Sequence, residues 1–223
     1  MNERSLQLQK GTKPMTSFPQ SPKLQRGSLI AIDQSSGNRT EIQFQYNPDT
    51  LTRRLTPQIV TNNFDKKEAL RLKGPPQETI SLEMEIDATD QVDKGDSTAT
   101  SLGIHPTLAA LELLIYPKSS DIDGSQKLAA NGVIEITPFD APLVLFVWGK
   151  KRSLPVRVSS FSITEEAFDP DLNPFHAKVS LELTVLTYFD LNYDSQGASL
   201  FFTHHKNKEK LAQQMSNVTT NGG

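Results

Sequence analysis

The sequence predicts a mainly β protein, a curled antiparallel β-sandwich or barrel with one flanking α-helix. Three observations lead to this prediction. Apolar and polar residues alternate in several segments, which sends successive side chains to opposite faces of a sheet. Glycine, proline and polar clusters separate these segments, and a single stretch has the apolar spacing of a helix that packs on a sheet.

The 223 residues divide into a folded body and two polar extensions. Residues 1–25 are rich in Gln, Ser, Lys and Pro and predict a flexible N-terminal arm. The β domain is expected over residues 26–190. Residues 191–223 are expected to form a partly helical C-terminal extension, because FFTHHKNKEKLAQQM has weak helical character.

Four strands follow from clear period-two patterns. GSLIAID and TEIQFQYNP predict a hairpin across QSSGN, and the second strand is expected to stop at Asn47–Pro48 because proline has no amide to donate. ETISLEMEID and AKVSLELTVL predict half-buried strands with polar residues on the solvent face. The inward residues of these two strands are predicted to form the core: Ile80, Leu82, Met84, Ile86, Val179, Leu181 and Leu183.

The remaining strands have less regular patterns. GVIEITP predicts a short strand, and PLVLFVWG, which contains residues 143–148, is apolar on both faces and predicts a strand covered on both sides. Trp148 is expected to belong to the core and to seal one end of the fold. In PVRVSSFSIT the apolar phase slips near Ser159 and Ser160, which predicts a bulge.

HPTLAALELLIYP predicts the flanking helix. Pro106 suits a first helical position, and Pro117 limits the helix. The apolar stripe expected to face the sheet consists of Leu108, Leu111, Leu114 and Ile115. Residues 89–103, TDQVDKGDSTATSLG, are expected to form a long surface loop, and residues 121–125, DIDGS, a turn.

Composition and spacing argue against a reactive site. The chain has no cysteine, so thiol chemistry is excluded, and a net charge of -3 with a pI near 5.8 gives no general attraction to nucleic acid. His204 and His205 are adjacent and point apart, which disfavours a shared metal. Paired carboxylates fit a solvent face better than a catalytic dyad. We therefore predict no catalytic residues, no bound metal, no cofactor and no nucleic-acid partner.

The longest apolar run is far shorter than the roughly 20 residues that a membrane-spanning helix needs. The N-terminal residues also lack the apolar segment of a signal peptide. We therefore expect synthesis and assembly in the cytoplasm, without direct insertion into a membrane.

Clusters of basic residues follow the ends of predicted strands. Such clusters are usually solvated turns, but on the rims of a small β-barrel they would complement acidic loops such as residues 87–96 of a neighbouring copy. With turn residues beside the strands, they give the candidate subunit or ring interface: Asn47, Pro48, Arg53, Arg54, Lys66, Lys67, Arg71, Lys73, Lys150, Lys151, Arg152, Asp169, Asn173 and Phe175.

An ordered series of segments resembles the tube-type domain of contractile injection systems. The segments are FQYNPDTL, RLKGPPQETISLEMEIDATD, IHPTLAALELLI and PLVLFVWGKKRSLPVRVSSFSITEEAFDPDLNPFHAKVSLELTVL, and they cover roughly residues 25–190. Within this family the chain looks like the tube initiator, the adaptor that joins the inner tube to the baseplate hub of phage-tail-like particles. The residues after Tyr188 are too few and too polar for the C-terminal LysM module that many relatives carry.

The resemblance implies a fold of the phage tail-tube type and a structural, non-enzymatic role. A homo-hexameric ring would contact the spike or hub protein, the inner tube protein and other baseplate components, in a particle that is released or attached to a membrane. Such a ring would template tube assembly, because it removes the entropic cost of starting a tube. Two alternatives stay open: the repeating inner-tube subunit of the same machine, and a carbohydrate- or ligand-binding β-sandwich with a groove at Tyr46, Trp148 and Phe175.

Overall fold

The computed structural model describes residues 25–34, 36–60, 70–132 and 138–219. Three sequence predictions fall outside these residues. They concern the N-terminal arm up to residue 24, the GVIEITP strand at residues 133–137, and the interface residues Lys66 and Lys67.

Seven antiparallel strands form one sheet in the described part of the chain. Across the sheet their order is β2-β1-β5-β6-β7-β4-β3, and the sheet is not closed there because β2 and β3 do not pair. The mainly β, antiparallel class predicted from the sequence is confirmed. In chain order the strands are β1 (Ser28–Ile32), β2 (Arg39–Gln43), β3 (Leu51–Thr56), β4 (Gln77–Asp87), β5 (Leu143–Trp148), β6 (Arg152–Phe168) and β7 (Pro174–Val185).

The sheet curls so strongly that the residues after β2, at one edge of the sheet, contact the end of β4, the sixth strand in the sheet order. The side chain of Gln45, just after β2, donates to the backbone oxygen of Asp87 over 2.7 Å and accepts from the Asp87 amide over 2.9 Å. Asp87 ends β4, and four strands separate β2 from β4 in the sheet order. Only a strongly curled sheet brings these residues together, and the curl encloses the main hydrophobic core.

Alternation along β4 and β7 builds one wall of this core. The two strands pair in a register that places Leu82 opposite Leu181. Full burial of such a side chain contributes about 1.5–3 kcal/mol. The inward residues, each no more than 5% exposed, are Ile80, Leu82, Met84, Ile86, Val179, Leu181 and Leu183.

The apolar strand β5 is covered on both faces. Val144 and Phe146 belong to the main core, and Leu145 on the opposite face is also buried. Trp148, at the end of β5, is only partly buried, and its ring stacks on Phe146 with the ring centroids 5.9 Å apart. Trp148 therefore borders the core.

The predicted bulge in β6 is confirmed. Pairing between β6 and β7 shifts register between Val158 and Ser160. At the same place the hydroxyls of Ser159 and Thr184 lie 2.5 Å apart. An extra residue in one strand bends it and increases its twist, so the bulge contributes to the curl of the sheet.

Five helices accompany the sheet in the described residues: α1 (Thr89–Asp93), α2 (Ser97–Leu102), α3 (His105–Glu112), α4 (Ser119–Ala130) and α5 (Gln196–Thr219). The predicted flanking helix is α3, from which Leu108 and Leu111 face the core, followed by Leu114 in the turn beyond it. The prediction is wrong for Ile115, which is 50% exposed because α3 has already ended at Glu112.

The loop at residues 89–103 and the turn at residues 121–125 are wrong predictions. The first contains α1 and α2, where the Asp96 carboxylate caps α2 by accepting hydrogen bonds from the amides of Thr98 and Ala99. The DIDGS segment lies inside α4. Glycine and polar composition disfavour helices in isolation. The Asp96 cap and the buried Ala99 stabilise α2, whereas α4 has neither a side-chain cap nor a buried residue.

Helix α5 is longer than its sequence pattern indicates. It packs against β6, and Ala198 and Phe201 in its first turns are buried. Gly197 lets the start of α5 lie close to the preceding segment, because a Cβ atom there would lie 2.5 Å from Leu191 Cδ1. Tertiary contacts in the first turns therefore stabilise the helix more than intrinsic propensity does.

Candidate assembly surfaces

Among the described residues, the longest unpaired strand edge belongs to β6. Strand β5 pairs with β6 only from Arg152 to Val156. From Arg157 to Phe168 no strand of the described chain pairs with this edge, although β7 continues to pair with the opposite edge. Unpaired backbone groups along an extended strand form a template for a strand of another chain.

The outer strands β2 and β3 also have an unpaired edge each within the described residues. Both strands are short and carry exposed charged side chains, such as Arg39 and Glu41 on β2 and Arg54 on β3. Short, charged edge strands discourage pairing with other chains. The β6 edge is therefore the better candidate for a contact between subunits.

The basic residues predicted for the interface do not form one patch. Arg53 and Arg152 are partly buried, whereas the others within the described residues are exposed. Three of the exposed ones lie on β3 or in the segment leading to β4, and two lie in the tight turn between β5 and β6: Arg54, Arg71, Lys73, Lys150 and Lys151.

Asn47 has a structural role within the chain. Its Oδ1 accepts a hydrogen bond from the Gly27 amide over 2.8 Å, and its Nδ2 donates to the Gln25 carbonyl over 2.9 Å. This holds Gly27 against aromatic rings, since a Cβ atom at Gly27 would lie 2.7 Å from the Trp148 ring. Pro48 beside it is partly buried.

The turn between β6 and β7 is held by Asp169 and Asn173. The Asp169 carboxylate accepts hydrogen bonds from the Asn173 amide over 2.7 Å and from its side chain over 2.8 Å. The side-chain hydrogen bond is the main reason that the pKa of Asp169 is lowered. Leu172 in this turn is 76% exposed, while Phe175 packs at the border of the core.

The three aromatic residues of the predicted ligand groove are not brought together. Trp148 lies at the end of the sheet where β6 begins. Phe175 lies where β7 begins, which is the other end because β6 and β7 are antiparallel. Tyr46 is exposed after β2. The described residues therefore contain no shared aromatic platform of these three rings.

A cleft of about 270 Å³ lies between α5 and the turn that joins β5 to β6. We term it the α5 cleft. The sequence analysis placed three of the cationic residues that line the cleft, Arg53, Lys151 and Arg152, in the candidate interface. It did not predict that residues of α5 line the same cleft. Its lining residues are Arg53, Trp148, Lys151, Arg152, His204, Lys208 and Leu211.

Glu78 supplies negative charge beside the α5 cleft. Its carboxylate is 5% exposed, accepts a hydrogen bond from Arg53 Nε over 2.6 Å and lies 3.4 Å from Lys208 Nζ. Burial raises the pKa of Glu78, but the hydrogen bond from Arg53 and the charges of Lys208 and Arg53 outweigh burial and lower this pKa. The sequence signal for this residue is its inward position on β4, two residues before Ile80.

Arg152 and His204 lie in the same cleft without such pairing. The Arg152 guanidinium has no ion-pair or hydrogen-bond partner among the described residues, and burial together with the charge of Arg53 lowers its pKa. His204 is 8% exposed, and neither ring nitrogen makes a hydrogen bond of good geometry within the described residues. Burial and the charge of Lys208 lower the pKa of His204, and the Lys151 backbone, which approaches the ring, raises this pKa without outweighing them.

His176 and the exposed carboxylates belong to the outer surface of the sheet. His176 Nε2 lies 2.6 Å from Glu85 Oε1, and its Nδ1 lies 3.2 Å from Glu166 Oε2. These contacts join β7 to β4 and β6, as cross-strand pairs commonly do. No group of three or more potential ligands in the described ranges could hold a metal ion.

Comparison with known proteins agrees with this architecture. A family model described as contractile injection system tube protein matches residues 23–193, which include all seven strands and helices α1 to α4. The chain belongs to the contractile injection system tube protein family. The resemblance predicted from the ordered segments is thereby confirmed. A search among curated proteins gives no match.

Membership of the tube protein family gives the chain a structural role as a tube-related component of an injection particle. Such a component assembles with other parts of the machine. Across the described ranges, no helix of this tube protein combines the length and apolar character that crossing a bilayer requires.

Proposed function

We propose that the chain is the tube initiator of a contractile injection system, a ring of six copies that joins the spike hub to the inner tube. The observation that carries this proposal is the β6 edge, which is unpaired from Arg157 to Phe168 in the described structure while β7 pairs with the other side. In a ring, a neighbouring copy would pair with each such edge, so that no copy ends in an open strand.

The two ends of the sheet differ in charge, which suits an adaptor. Where β4 ends, α1 and the following turn carry exposed Asp90, Asp93 and Asp96. Where β4 begins, the α5 cleft concentrates basic residues. An adaptor contacts a different protein on each face, and opposite charges on the two faces would help select the correct partner for each.

The proposed mechanism is templating. Six copies held at the baseplate would supply an ordered surface for the first ring of inner tube protein. Later rings would then add to an existing surface, without the entropic cost of forming a first ring in solution. The role requires no catalytic residue.

Deletion of the chain from a particle-producing strain tests this role. Baseplates without tubes are the expected result in negative-stain electron microscopy, and expression of the intact chain from a plasmid should restore the tubes. Particles with normal tubes in the deletion strain would end the proposal.

The opposite charges also favour a second candidate, the repeating inner-tube subunit of the same machine. The acidic end of one copy would contact the basic end of the next along the tube. Copy number separates the two candidates and is measured by quantitative mass spectrometry of purified particles, relative to the hub protein. One ring per particle supports the initiator, and many rings per particle support the repeating subunit.

A further inference from the structure

The α5 cleft contains more positive charge than the described chain neutralises. Four cationic side chains line it: Arg53, Lys151, Arg152 and Lys208. The Glu78 carboxylate pairs with Arg53 and Lys208 only. This excess is local, because the whole chain has a net charge of -3.

Arg152 is the least favourable of these charges for folding. Its side chain is partly buried in the cleft; burial and the neighbouring Arg53 disfavour its charged form, and the charge of Glu78 only partly offsets them. A charge removed from water without a partner destabilises the folded state. Without an ion-pair partner of its own among the described residues, Arg152 remains available to an anion from outside the chain.

His204 is a second, independent observation at the same place. The ring is more than nine-tenths buried and lines the cleft, and neither nitrogen makes a hydrogen bond of good geometry within the described structure, where only the Lys151 backbone approaches it. Buried polar groups in folded proteins are nearly always hydrogen-bonded. An oxygen atom from a bound group would accept the hydrogen bond that the ring N–H does not otherwise make.

The walls of the cleft fit a carboxylate carried on a protein. A volume of about 270 Å³ exceeds what a carboxylate alone would fill. The Trp148 ring and the Leu211 side chain provide apolar surface against which the methylene groups of an acidic side chain can pack. A guanidinium offers paired N–H groups whose geometry matches the two oxygens of a carboxylate.

We infer that the α5 cleft binds a carboxylate of a partner protein, an aspartate, a glutamate or a chain terminus, with the Arg152 guanidinium as its principal contact. The bound carboxylate neutralises Arg152, gives His204 an acceptor and connects α5 to the adjoining component. The inference rests on the proposed function only in assigning the partner to the same particle.

Trp148 provides a direct probe of the cleft, because it is the only tryptophan of the chain and lines the site. Titration of the full-length protein with a tetraglutamate peptide should change Trp148 fluorescence in a saturable way, with a Kd below about 1 mM. A tetraglutamine peptide with an amidated C-terminus, matched in length but without any carboxylate, should bind much more weakly. Inorganic phosphate at the same ionic strength should also bind more weakly than tetraglutamate.

Two arginine variants separate the site from general surface charge. Arg152→Met should weaken tetraglutamate binding by about tenfold or more, while the thermal midpoint stays the same or rises because an unpaired charge is removed. Arg54→Met removes an exposed arginine of β3 and should change the Kd by less than about twofold. If Arg152→Met does not fold, Arg152→Lys should still weaken binding, because lysine lacks the paired N–H geometry.

Several results would overturn the inference. These are the absence of tetraglutamate binding, equal binding of tetraglutamate and tetraglutamine, tighter binding of phosphate, or equal losses in the Arg152 and Arg54 variants. Ring formation is measured separately by electron microscopy. A negative result in the peptide-binding test therefore does not contradict the proposed ring. The absence of a ring in electron microscopy likewise does not contradict the carboxylate site.

Discussion

The two ends of the sheet are stabilised in different ways. At the end where β4 finishes, α2 and α3 pack with apolar side chains, and the polar groups nearby are paired, as in the double hydrogen bond between Gln45 and Asp87. We refer to it as the α3 end. The residues it buries between Ala99 and Leu114 are all apolar: Ala99, Ile104, Leu108, Leu111 and Leu114.

The other end, where β4 begins under α5, is held in part by charge. Glu78 is buried between Arg53 and Lys208, while in the described chain Arg152 has no ion-pair partner and His204 makes no hydrogen bond of good geometry. We refer to it as the α5 end. Within the described residues, the buried side chains of the α3 end are apolar or hydrogen-bonded, whereas the α5 end keeps positive charge that has no carboxylate partner. The unpaired positive charge at the α5 end therefore indicates a binding function.

The largest effect is expected at the α3 end, from Leu111→Ala. Leu111 is 1% exposed, so the change removes apolar contacts and leaves a cavity that costs about 3 to 4 kcal/mol of unfolding free energy. Urea denaturation measures the loss. Leu113→Ala is the matched control, because Leu113 is 62% exposed and should cost no more than about 0.5 kcal/mol. Similar losses in both variants would show that α3 is not packed as described.

At the α5 end, Glu78→Gln should cost about 2 to 3 kcal/mol at neutral pH. The change leaves Arg53 and Lys208 without their carboxylate, and the partial exposure of both cations reduces the cost below that of a fully buried pair. Glu83→Gln, an exposed carboxylate on the same strand, is the control.

The pH dependence of Glu78 has a definite sign. Its pKa is lower in the folded state, so its stabilisation is present above the unfolded pKa and is lost as pH falls through the folded pKa. The difference in stability between the wild type and Glu78→Gln should therefore shrink in acid. A difference that stays constant between neutral and acidic pH would contradict the ion-pair account.

Asn47→Ala should have a smaller effect, about 1 kcal/mol, because it removes the two hydrogen bonds that hold the backbone at Gln25 and Gly27. The monomer should lose this stability even when no partner is present, and Trp148 fluorescence should change as Gly27 moves away from its ring. Asp49→Asn, an exposed neighbour, is the control. If Asn47→Ala left the stability of the monomer unchanged but weakened assembly, Asn47 would belong to the subunit interface, as predicted from the sequence.

The smallest effect concerns His204. Burial lowers its folded pKa below the ordinary value near 6.5, so the unfolded chain binds a proton more readily. Stability should therefore fall as pH decreases below about 6.5, and His204→Leu should lose this part of the pH dependence. His205→Leu, exposed on the same helix, should retain it. Chemical denaturation between pH 5 and pH 8 distinguishes the two variants.

Sequence periodicity predicted the α3 end far better than the α5 end. Alternation placed Met84 and Ile86 in a strand-built wall, and helical spacing placed Leu111 against the sheet, because burial of these residues depends on local pattern. The α5 cleft depends on contacts between residues distant in sequence, such as Glu78 and Lys208. Period two also assigns Glu78 to the inward face, but the pattern alone does not show which cation reaches it.

The missed helices have a similar explanation. Capping by Asp96 and the packing of Ala99 stabilise α2, and neither is visible as an apolar stripe. The pairing of β6 was also not accessible from pattern, because alternation predicts a strand but not where its neighbour ends. The end of the β5 pairing is what leaves the β6 edge from Arg157 to Phe168 unpaired in the described part of the chain.

Cryo-electron microscopy of the assembled particle tests the central claim most directly. The account predicts six copies of this chain around the tube axis, adjoining the hub, with the β6 edge of each copy paired to a strand of its neighbour. A chain located away from the axis, or copies whose β6 edges face solvent, would contradict it.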